Sequence, residues 1–347
     1  MHRAMVLRAT GLMLFAGLGA MARAQAIDGE PLEEVVVTGE FPGPGMWKVT
    51  RPGAATDPAS THVLWIVGDP PPLPRRMKWK SRDVEAVAQS AQAFLLDASV
   101  RIEPDEKIGV FRGLSLLPAA LQARKNPDGA LLRERVPPDL YARWLVQKQR
   151  FLGRARGLEE WRPIFAAGKL RKEAFDDLDL REGGIVWDVV GRIARRRKIA
   201  PITPSLEFTF HTRDLKAKIK EFSRESLADT ECFAVTLDLT EALSDGATQA
   251  RRAHAWATAD LATLESLPPL PNPYVPCAMA VLGSQVAREL IPADIREKLY
   301  ASWMDAAQRA LTAHETTLAI VPLAKLTREG GYLSRLRAQG YEIKAPE

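Results

Sequence analysis

Two apolar segments decide the fold of this chain. Thr61–Gly68 reads THVLWIVG and runs into Asp69-Pro70-Pro71-Pro72, while Thr316–Leu326 reads TTLAIVPLAKL. Short runs rich in β-branched residues and bounded by Gly or Pro are typical of buried β-strands. Stretches with helical spacing of apolar residues lie around them, so strands alternate with helices. This alternation predicts an α/β fold.

The remaining elements follow from the same periodicities. Further strands are predicted at Met46–Val49, Phe94–Ile102, Ile202–Phe210 and Tyr341–Ile343, and helices at Pro138–Leu152, Val186–Arg197, Val281–Leu290, Ala293–Ala313 and Gly330–Gln339. Lys216–Leu264 is predicted to be helical with one break near Ser244–Gly246. Gly340 is predicted to end the last helix in the left-handed conformation.

The N-terminus has the pattern of a secretory signal. Arg3 and Arg8 precede the apolar run Gly11–Ala22, and Ala22-Arg23-Ala24 is an A-x-A cleavage site. We therefore expect a cleaved signal peptide at residues 1–24, a flexible arm at 25–45 and one α/β domain at 46–347. No later segment has the length of a membrane span. These features predict a periplasmic or secreted protein with no transmembrane segment in the mature chain.

The composition limits which partners are expected and indicates the redox state of the cysteines. The net charge of +5 includes three arginines of the predicted signal, which contains no acid, so nucleic acid is not an expected partner. The chain has two cysteines, Cys232 and Cys277, and an even pair in an oxidising compartment predicts a disulfide. Two buried free thiols are the alternative.

Several motifs resemble those of the TraB/GumN family, which includes the Tiki-type membrane proteases. Trp47-Lys48-Val49 fits the first strand of the family's hairpin, Leu206-Glu207 matches its Leu-Glu motif, and Gly183-Gly184-Ile185 is similar to its Gly-Ile-Asp step. The C-terminal motifs Gly331-Tyr332-Leu333 and Gly340-Tyr341 also fit those of the family. The resemblance extends from Met46 to Ile343 and implies the family's α/β fold, with a central mixed β-sheet built from two related β/α halves and surrounded by many helices.

The resemblance also implies a metal site that this sequence lacks. In the family, both signature strands end in Gly-x-x-His, and the two histidines are thought to hold a divalent metal. Here the motifs read Gly68-Asp69-Pro70-Pro71 and Pro322-Leu323-Ala324-Lys325. An ammonium group has three donors and no free electron pair, so Lys325 does not replace a histidine ligand. We therefore predict no bound metal and no cofactor.

Five side chains remain as catalytic candidates. They are Asp69 and Lys325 at the two signature corners, Asp97 where the family often has Glu, and Glu207 and His211, whose spacing places them on one face of a strand. Nothing in the sequence shows that these groups converge. His254 lies on a polar helix and is expected to be solvated, and His314 is expected to be a cation at a helix C-terminus, where the dipole favours it.

A basic segment follows the first signature strand. Arg75, Arg76, Lys78 and Arg82 alternate with Met77 and Trp79, so an extended chain would present the cations largely on one side. Such a patch could hold an anionic ligand or an unknown component of the envelope, although an ordinary solvated loop has the same composition.

Two functions are compatible with this sequence. The first is an exported family member with a degenerate metal site and a non-catalytic binding or scaffold role, a pseudoenzyme. The alternative is a metal-dependent or altered-site hydrolase, similar to a protease or esterase, that uses Glu207, His211 and Asp69. A lysine desolvated in a cleft can act as a base, so Lys325 could serve this second function.

Overall fold

The computed structural model describes residues 43–51, 62–70 and 72–346. The predicted signal peptide, most of the predicted arm and Pro71 lie outside the described residues. Within the described ranges, no helix combines the length and the apolar character that a membrane crossing requires. The strands are β1 Met46–Thr50, β2 Val63–Asp69, β3 Leu73–Pro74, β4 Ala93–Leu96, β5 Ser99–Pro104, β6 Leu180–Arg181, β7 Ser205–Phe210, β8 Thr316–Pro322 and β9 Glu342–Lys344.

Helices connect and cover these strands. In chain order they are α1 Arg82–Ser90, α2 Val110–Ala123, α3 Pro138–Phe151, α4 Pro163–Asp177, α5 Ile185–Arg196, α6 Leu215–Arg224, α7 Thr230–Leu243, α8 Gly246–Ala257, α9 Leu261–Ser266, α10 Tyr274–Leu282, α11 Gln285–Arg288, α12 Ile295–Ala313, α13 Leu323–Thr327 and α14 Tyr332–Ala338. The mixed sheet and its helices confirm the predicted α/β fold.

The main sheet has the strand order β4-β8-β2-β1-β9. β2 and β8 are parallel and in register from Val63 opposite Thr316 to Asp69 opposite Pro322. β4 is parallel to β8 on its other side, whereas β1 is antiparallel to both β2 and β9. The carboxyl ends of β2, β4 and β8 therefore lie at the same edge of the sheet.

The two signature strands are buried on both faces, which is why they are continuous apolar runs. Along β8, Ala319 and Val321 pack with Trp303 on one face of the sheet. Leu318 and Ile320 pack on the other face, in a cluster that also contains Trp256. A separate core around Trp144, Leu170 and Phe233 holds α3, α4 and α7 together.

Three predicted boundaries are wrong, for local physical reasons. The predicted strand Phe94–Ile102 divides into β4 and β5, because the chain bends at Asp97 and Ala98 and β5 then pairs with β7. The segment Lys216–Leu264 divides into α6, α7, α8 and α9. The predicted break near Ser244–Gly246 is present, where Asp245 accepts a hydrogen bond from the N–H of Thr248. The breaks between α6 and α7 and at Asp260, which accepts from the N–H of Thr263 and so begins α9, were not predicted.

The predicted helix Val281–Leu290 also differs from the structure. α10 begins at Tyr274, so Pro276 lies within its first turn, where a missing N–H is tolerated. A second short helix, α11, then begins after Ser284, whose hydroxyl accepts a hydrogen bond from the N–H of Ala287. The predicted helix Val281–Leu290 therefore spans the end of one helix and the whole of the next.

The predicted disulfide between Cys232 and Cys277 is confirmed. It joins α7 to α10, with 4.5 Å between the two Cα atoms and 45 residues of sequence separation. The side chain of Cys232 is fully buried. Because α10 otherwise presents several apolar side chains to solvent, the bridge ties a weakly buried helix to the core of the α3, α4 and α7 layer.

Reduction of this bridge is expected to destabilise the protein. The chain-entropy relation gives about 4 kcal/mol for a loop of this length. Urea unfolding with and without a thiol reductant measures the difference. The variant with both Cys232→Ser and Cys277→Ser should match the reduced protein and show no response to the reductant. Equal stability of the oxidised and reduced proteins would contradict the expectation.

Candidate functional site

Polar side chains collect where the parallel strands of the main sheet end. Asp69 is the last residue of β2, Asp97 follows β4 directly, and Lys325 lies one turn beyond the end of β8. In open α/β sheets, ligands bind outside the carboxyl ends of the strands. This edge is therefore the place where a functional site is expected.

Asp97 receives two hydrogen bonds that engage both of its carboxylate oxygens. The Lys325 ammonium donates to Oδ2 at 2.6 Å, and the Tyr332 hydroxyl donates to Oδ1 at 2.6 Å. The lysine side chain is 37% exposed and the aspartate side chain 23% exposed, so solvent screens the pair in part. Lys325 is thus neutralised by the neighbouring strand end.

Tyr332 is held rigidly by aromatic neighbours. It is buried, and its ring centroid lies 4.0 Å from that of Trp303 and 5.1 Å from that of Tyr300. Burial, and then the negative charge of Asp97, raise the pKa of the Tyr332 hydroxyl well above its usual range. The hydroxyl therefore stays protonated and remains a hydrogen-bond donor to Asp97.

The second aspartate at this edge has a different environment. Asp69 Oδ2 accepts a hydrogen bond of 2.9 Å from the N–H of Gly184, at the start of α5. Its other oxygen is buried and has no hydrogen-bond partner among the described atoms. Burial raises the pKa of this carboxyl, against the smaller effects of the Gly184 N–H and of Arg181. Asp69 thus binds the N-terminus of a helix, where a carboxylate is favoured.

A glycine makes this approach possible. Gly183 has a φ of +146°, and a Cβ atom at this position would lie 2.6 Å from Asp69 Oδ2. The Gly183-Gly184-Ile185 step therefore serves to let the end of β2 reach the start of α5. The structural function of Asp69 is sufficient to explain its burial.

The corner at Gly68 is closed by apolar side chains. A Cβ at Gly68 would lie 2.5 Å from Leu323 Cδ1, so Leu323 covers the backbone there. On the other side, Trp256 Nε1 donates a hydrogen bond of 3.1 Å to the Gly68 carbonyl. Little room is left between the first strand end and the start of α13.

The other catalytic candidates have their contacts on the smaller sheet. Glu207 is exposed and pairs with Arg101 at 3.4 Å, across β5 and β7. His211 Nδ1 lies 3.0 Å from Asp105 Oδ2, and the N–H of Thr212 donates to Asp105 Oδ1 at 2.8 Å. The Thr212 N–H and then His211 lower the pKa of Asp105. Of the five candidates, only Asp97 and Lys325 contact each other.

The basic segment is partly used in internal contacts. Arg75 donates to the Leu180 carbonyl at 2.9 Å and pairs with Asp176. Arg82 pairs with Asp83 in a fully solvated position. Arg76 and Lys78 are exposed, while Trp79 is buried and packs edge-on against Trp256 at 5.6 Å. Arg76 and Lys78 therefore face solvent, and the binding function of the segment stays a prediction.

The residues at this edge do not fit a divalent metal. A catalytic zinc takes about three protein ligands, and the described residues contain no group of three or more His, Cys, Asp or Glu side chains that could supply them. Lys325 instead places an ammonium where the implied ligand would be. Its partner Asp97 has both oxygens engaged.

Sequence reasoning missed Tyr332 as a member of this site. Its Gly-Tyr-Leu motif was informative only as a family marker, because periodicity places Tyr332 on the buried face of a helix. A buried tyrosine hydroxyl needs a polar partner, and this requirement was the available signal. The sequence offered several carboxylates as partners, and only the fold selects Asp97.

Comparison with known proteins gives one positive finding. The model of the TraB/PrgY/gumN family matches residues 45–345, nearly the whole chain. Comparison with curated proteins and with solved structures gives no match.

Removal of the Lys325 ammonium is expected to destabilise the fold by leaving Asp97 without its charged partner. Lys325→Met should lower the free energy of unfolding by about 1–2 kcal/mol in urea titrations. A double-mutant cycle with Asp97→Leu should give a coupling energy of about 1 kcal/mol. Lys344→Met, at an exposed lysine of β9, is the control and should change stability by less than about 0.5 kcal/mol. Additive effects at Lys325 and Asp97 would show that the two do not interact in solution.

Asp69 is expected to make stability depend on pH. Because its folded pKa is raised above 3.8, its contribution to stability is full below that value and is lost as pH rises through the folded pKa. Asp69→Asn does not titrate, so its stability relative to the wild type should increase between about pH 4 and about pH 7, whatever constant offset the amide introduces. Urea unfolding across this range measures the slope.

Asp176→Asn provides a control of opposite sign. Lys172 and then Arg75 lower the pKa of Asp176 to about 2, so this carboxylate stabilises the fold above its unfolded pKa and loses that contribution as pH falls. The relative stability of this variant should therefore decrease with rising pH, below about pH 5. The same slope for both variants would contradict the assignment for Asp69.

Proposed function

Because the chain belongs to the TraB/PrgY/gumN family, we propose that it is an exported, periplasmic member whose metal site has degenerated and which binds or scaffolds an envelope component without catalysing a reaction. The observation that carries this proposal is the pairing of Lys325 with Asp97 and Tyr332 at the carboxyl edge of the sheet. A cation already occupies the electrostatic position that a metal would require.

The chemistry of the paired groups supports this proposal. A metal next to the Lys325 ammonium would face a like charge, and Asp97 would have to exchange two hydrogen bonds of 2.6 Å for coordination. Pro322 also replaces the glycine of the second motif and removes a backbone donor. Lys325 thus puts a positive charge where the family has a metal ligand, and Pro322 stiffens the turn before it.

Export is supported by two independent features. The first 24 residues have the charge, apolar run and A-x-A end of a secretory signal. The Cys232–Cys277 bridge is compatible with an oxidising compartment, where structural disulfides persist. Within this proposal, the predicted signal peptide is removed and the family domain operates outside the cytoplasm.

The basic segment is the proposed contact for an anionic ligand. Arg76 and Lys78 are exposed, and no carboxylate of the described residues forms an ion pair with either one. Arg75 and Arg82 lie in the same segment but already have acidic partners. Phosphate groups or an acidic polymer would meet two free cations there.

The alternative function, an altered-site hydrolase, has less support. Such an enzyme requires a nucleophile or base and its orienting group within hydrogen-bond distance of one reacting atom. Glu207 pairs with Arg101, His211 contacts Asp105, and Asp69 binds the start of α5. None of these contacts joins one candidate to another.

Restoring both histidines provides a direct test of the degenerate site. The wild-type protein should retain far less than one equivalent of zinc, manganese or cobalt after dialysis, measured by mass spectrometry of the metals. The variant with Pro71→His and Lys325→His should retain much more, because it restores both histidines of the family's Gly-x-x-His motifs and removes the ammonium from Asp97. Circular dichroism confirms that both proteins are folded.

A control variant separates the site from adventitious binding. Arg76→His with Lys344→His adds two exposed imidazoles elsewhere and should retain no more metal than the wild type. Near-stoichiometric metal in the wild-type protein would overturn the proposal. Equal metal in the two histidine variants would show that the gain does not depend on the carboxyl edge of the sheet.

A further inference from the structure

Helix α2 is apolar on nearly all of its sides. Val110–Ala123 reads VFRGLSLLPAALQA and contains no acidic residue. Leu116, Ala119 and Ala123 lie on its inner side, where they are partly or fully buried. The outer side is also apolar and consists of exposed residues, namely Val110, Phe111, Leu114, Leu117 and Leu121. A helix of this kind is normally buried, so its outer face lacks the cover that its composition calls for.

The exposure of this face is large. Phe111 is 89% exposed and Val110 is 78% exposed. Val110, Leu114, Leu117 and Leu121 recur at spacings of three and four residues, so they form one continuous stripe, with Phe111 beside it. Contiguous apolar patches on a protein surface mark interaction sites. The charges beside this stripe indicate which kind of partner it fits.

Helix α6 supplies the charge that identifies the partner. It packs beside α2, and one of its faces includes Ile219 and Phe222, which are partly buried. An adjoining face carries Lys216, Lys220 and Arg224, all exposed, at intervals of four residues. Among the described residues, no carboxylate forms an ion pair with any of these three. The apolar stripe therefore lies next to a cationic one.

The segments that adjoin the two helices carry charges of both signs. Lys107 and Arg213 are exposed and add to the positive charge, while Glu106 and Asp214 are exposed and oppose it. Together with α6, the cations outnumber the acids. An apolar helical face flanked by lysine and arginine is the composition of helices that lie in the interface of an anionic bilayer.

A second copy of the chain fits this surface less well. In a two-fold dimer, the same patch faces itself, so the cationic stripes of both α6 helices would be brought together. A bilayer instead offers an apolar interior to Phe111 and Leu114 and phosphate groups to Lys216 and Lys220. We propose that α2 and the cationic face of α6 form a binding surface for an anionic lipid bilayer. This inference goes beyond the proposed function and does not depend on whether the metal site has degenerated.

Vesicle flotation tests the apolar part of the surface. The full-length protein is mixed with vesicles of phosphatidylglycerol and phosphatidylcholine, or of phosphatidylcholine alone, and the bound fraction gives a partition coefficient. Phe111→Gln with Leu114→Gln should lower partitioning into the anionic vesicles about tenfold or more. Since residues 1–42 are the same in every variant, the difference isolates the contribution of α2.

Matched exposed residues on another helix provide the control. Leu145 and Val146 on α3 are 45% and 65% exposed. Leu145→Gln with Val146→Gln removes the same number of apolar side chains and should leave partitioning within about twofold of the wild type, because a surface remote from the bilayer contributes no burial. Equal losses in the two double variants would overturn the proposal.

A second pair of variants tests the charge. Lys216→Gln with Lys220→Gln should lower partitioning into anionic vesicles about tenfold or more and leave phosphatidylcholine binding almost unchanged. Arg195→Gln with Arg196→Gln, at exposed arginines of α5, should have little effect. No preference of the wild-type protein for anionic vesicles would overturn the proposal. A concentration-dependent dimer in sedimentation, abolished by the α2 substitutions while vesicle binding is absent, would also overturn it and identify the surface as an interface between copies.

Discussion

Parallel pairing of β2 with β8 determines where the polar groups of this protein lie. The two strands run in register to their ends, with Asp69 opposite Pro322, and β4 continues the parallel arrangement on the far side of β8. Because parallel strands end at one edge, the segments that follow them must share that edge. This constraint brings Asp97, which follows β4, to Lys325 in α13.

Two aspartates at this edge have opposite surroundings. Asp97 has an ammonium on one oxygen and a tyrosine hydroxyl on the other. Asp69 has the N–H of Gly184 on one oxygen and no partner among the described atoms on the other, and its burial raises its pKa. One carboxylate is therefore neutralised by a fixed cation, whereas the other is held mainly by the start of a helix. The difference arises from what each strand end faces, since the residue type is the same.

The polar groups at the strand ends are engaged with each other, whereas helix α2 exposes an apolar face. The family model matches nearly the whole chain, the signature strands are buried, and Lys325 stands where the resemblance implies a metal ligand. Surfaces exposed elsewhere in the described part of the chain include the cations after β3 and the apolar and cationic stripes of α2 and α6. Binding on such surfaces requires no catalytic group at the strand ends. The proposed binding or scaffold role would use these surfaces.

The local sequence pattern was sufficient to predict much of the fold. The β-branched runs at Val63–Asp69 and Thr316–Pro322 have to be buried strands, because they are apolar on both faces. The absence of both histidines was also evident from the sequence alone, because the residue type at each position decides whether the side chain has a free electron pair for a metal. The helical break near Ser244–Gly246 was predicted, but the break at Asp260 was missed, because a capping aspartate in an apolar periodic segment gives a weak signal beside the period itself.

The sequence by itself determined the fold class, the family and the loss of the two imidazoles, because periodicity and residue chemistry are local properties. Only the tertiary structure decided that Lys325 pairs with Asp97, that Tyr332 completes the pair and that Asp69 binds α5, because these partners are separated by more than one hundred residues. The tertiary structure also decided that α2 is uncovered on its outer face. Hydrophobic spacing predicts which side of a helix is apolar, but the arrangement of the neighbouring elements determines whether anything covers it.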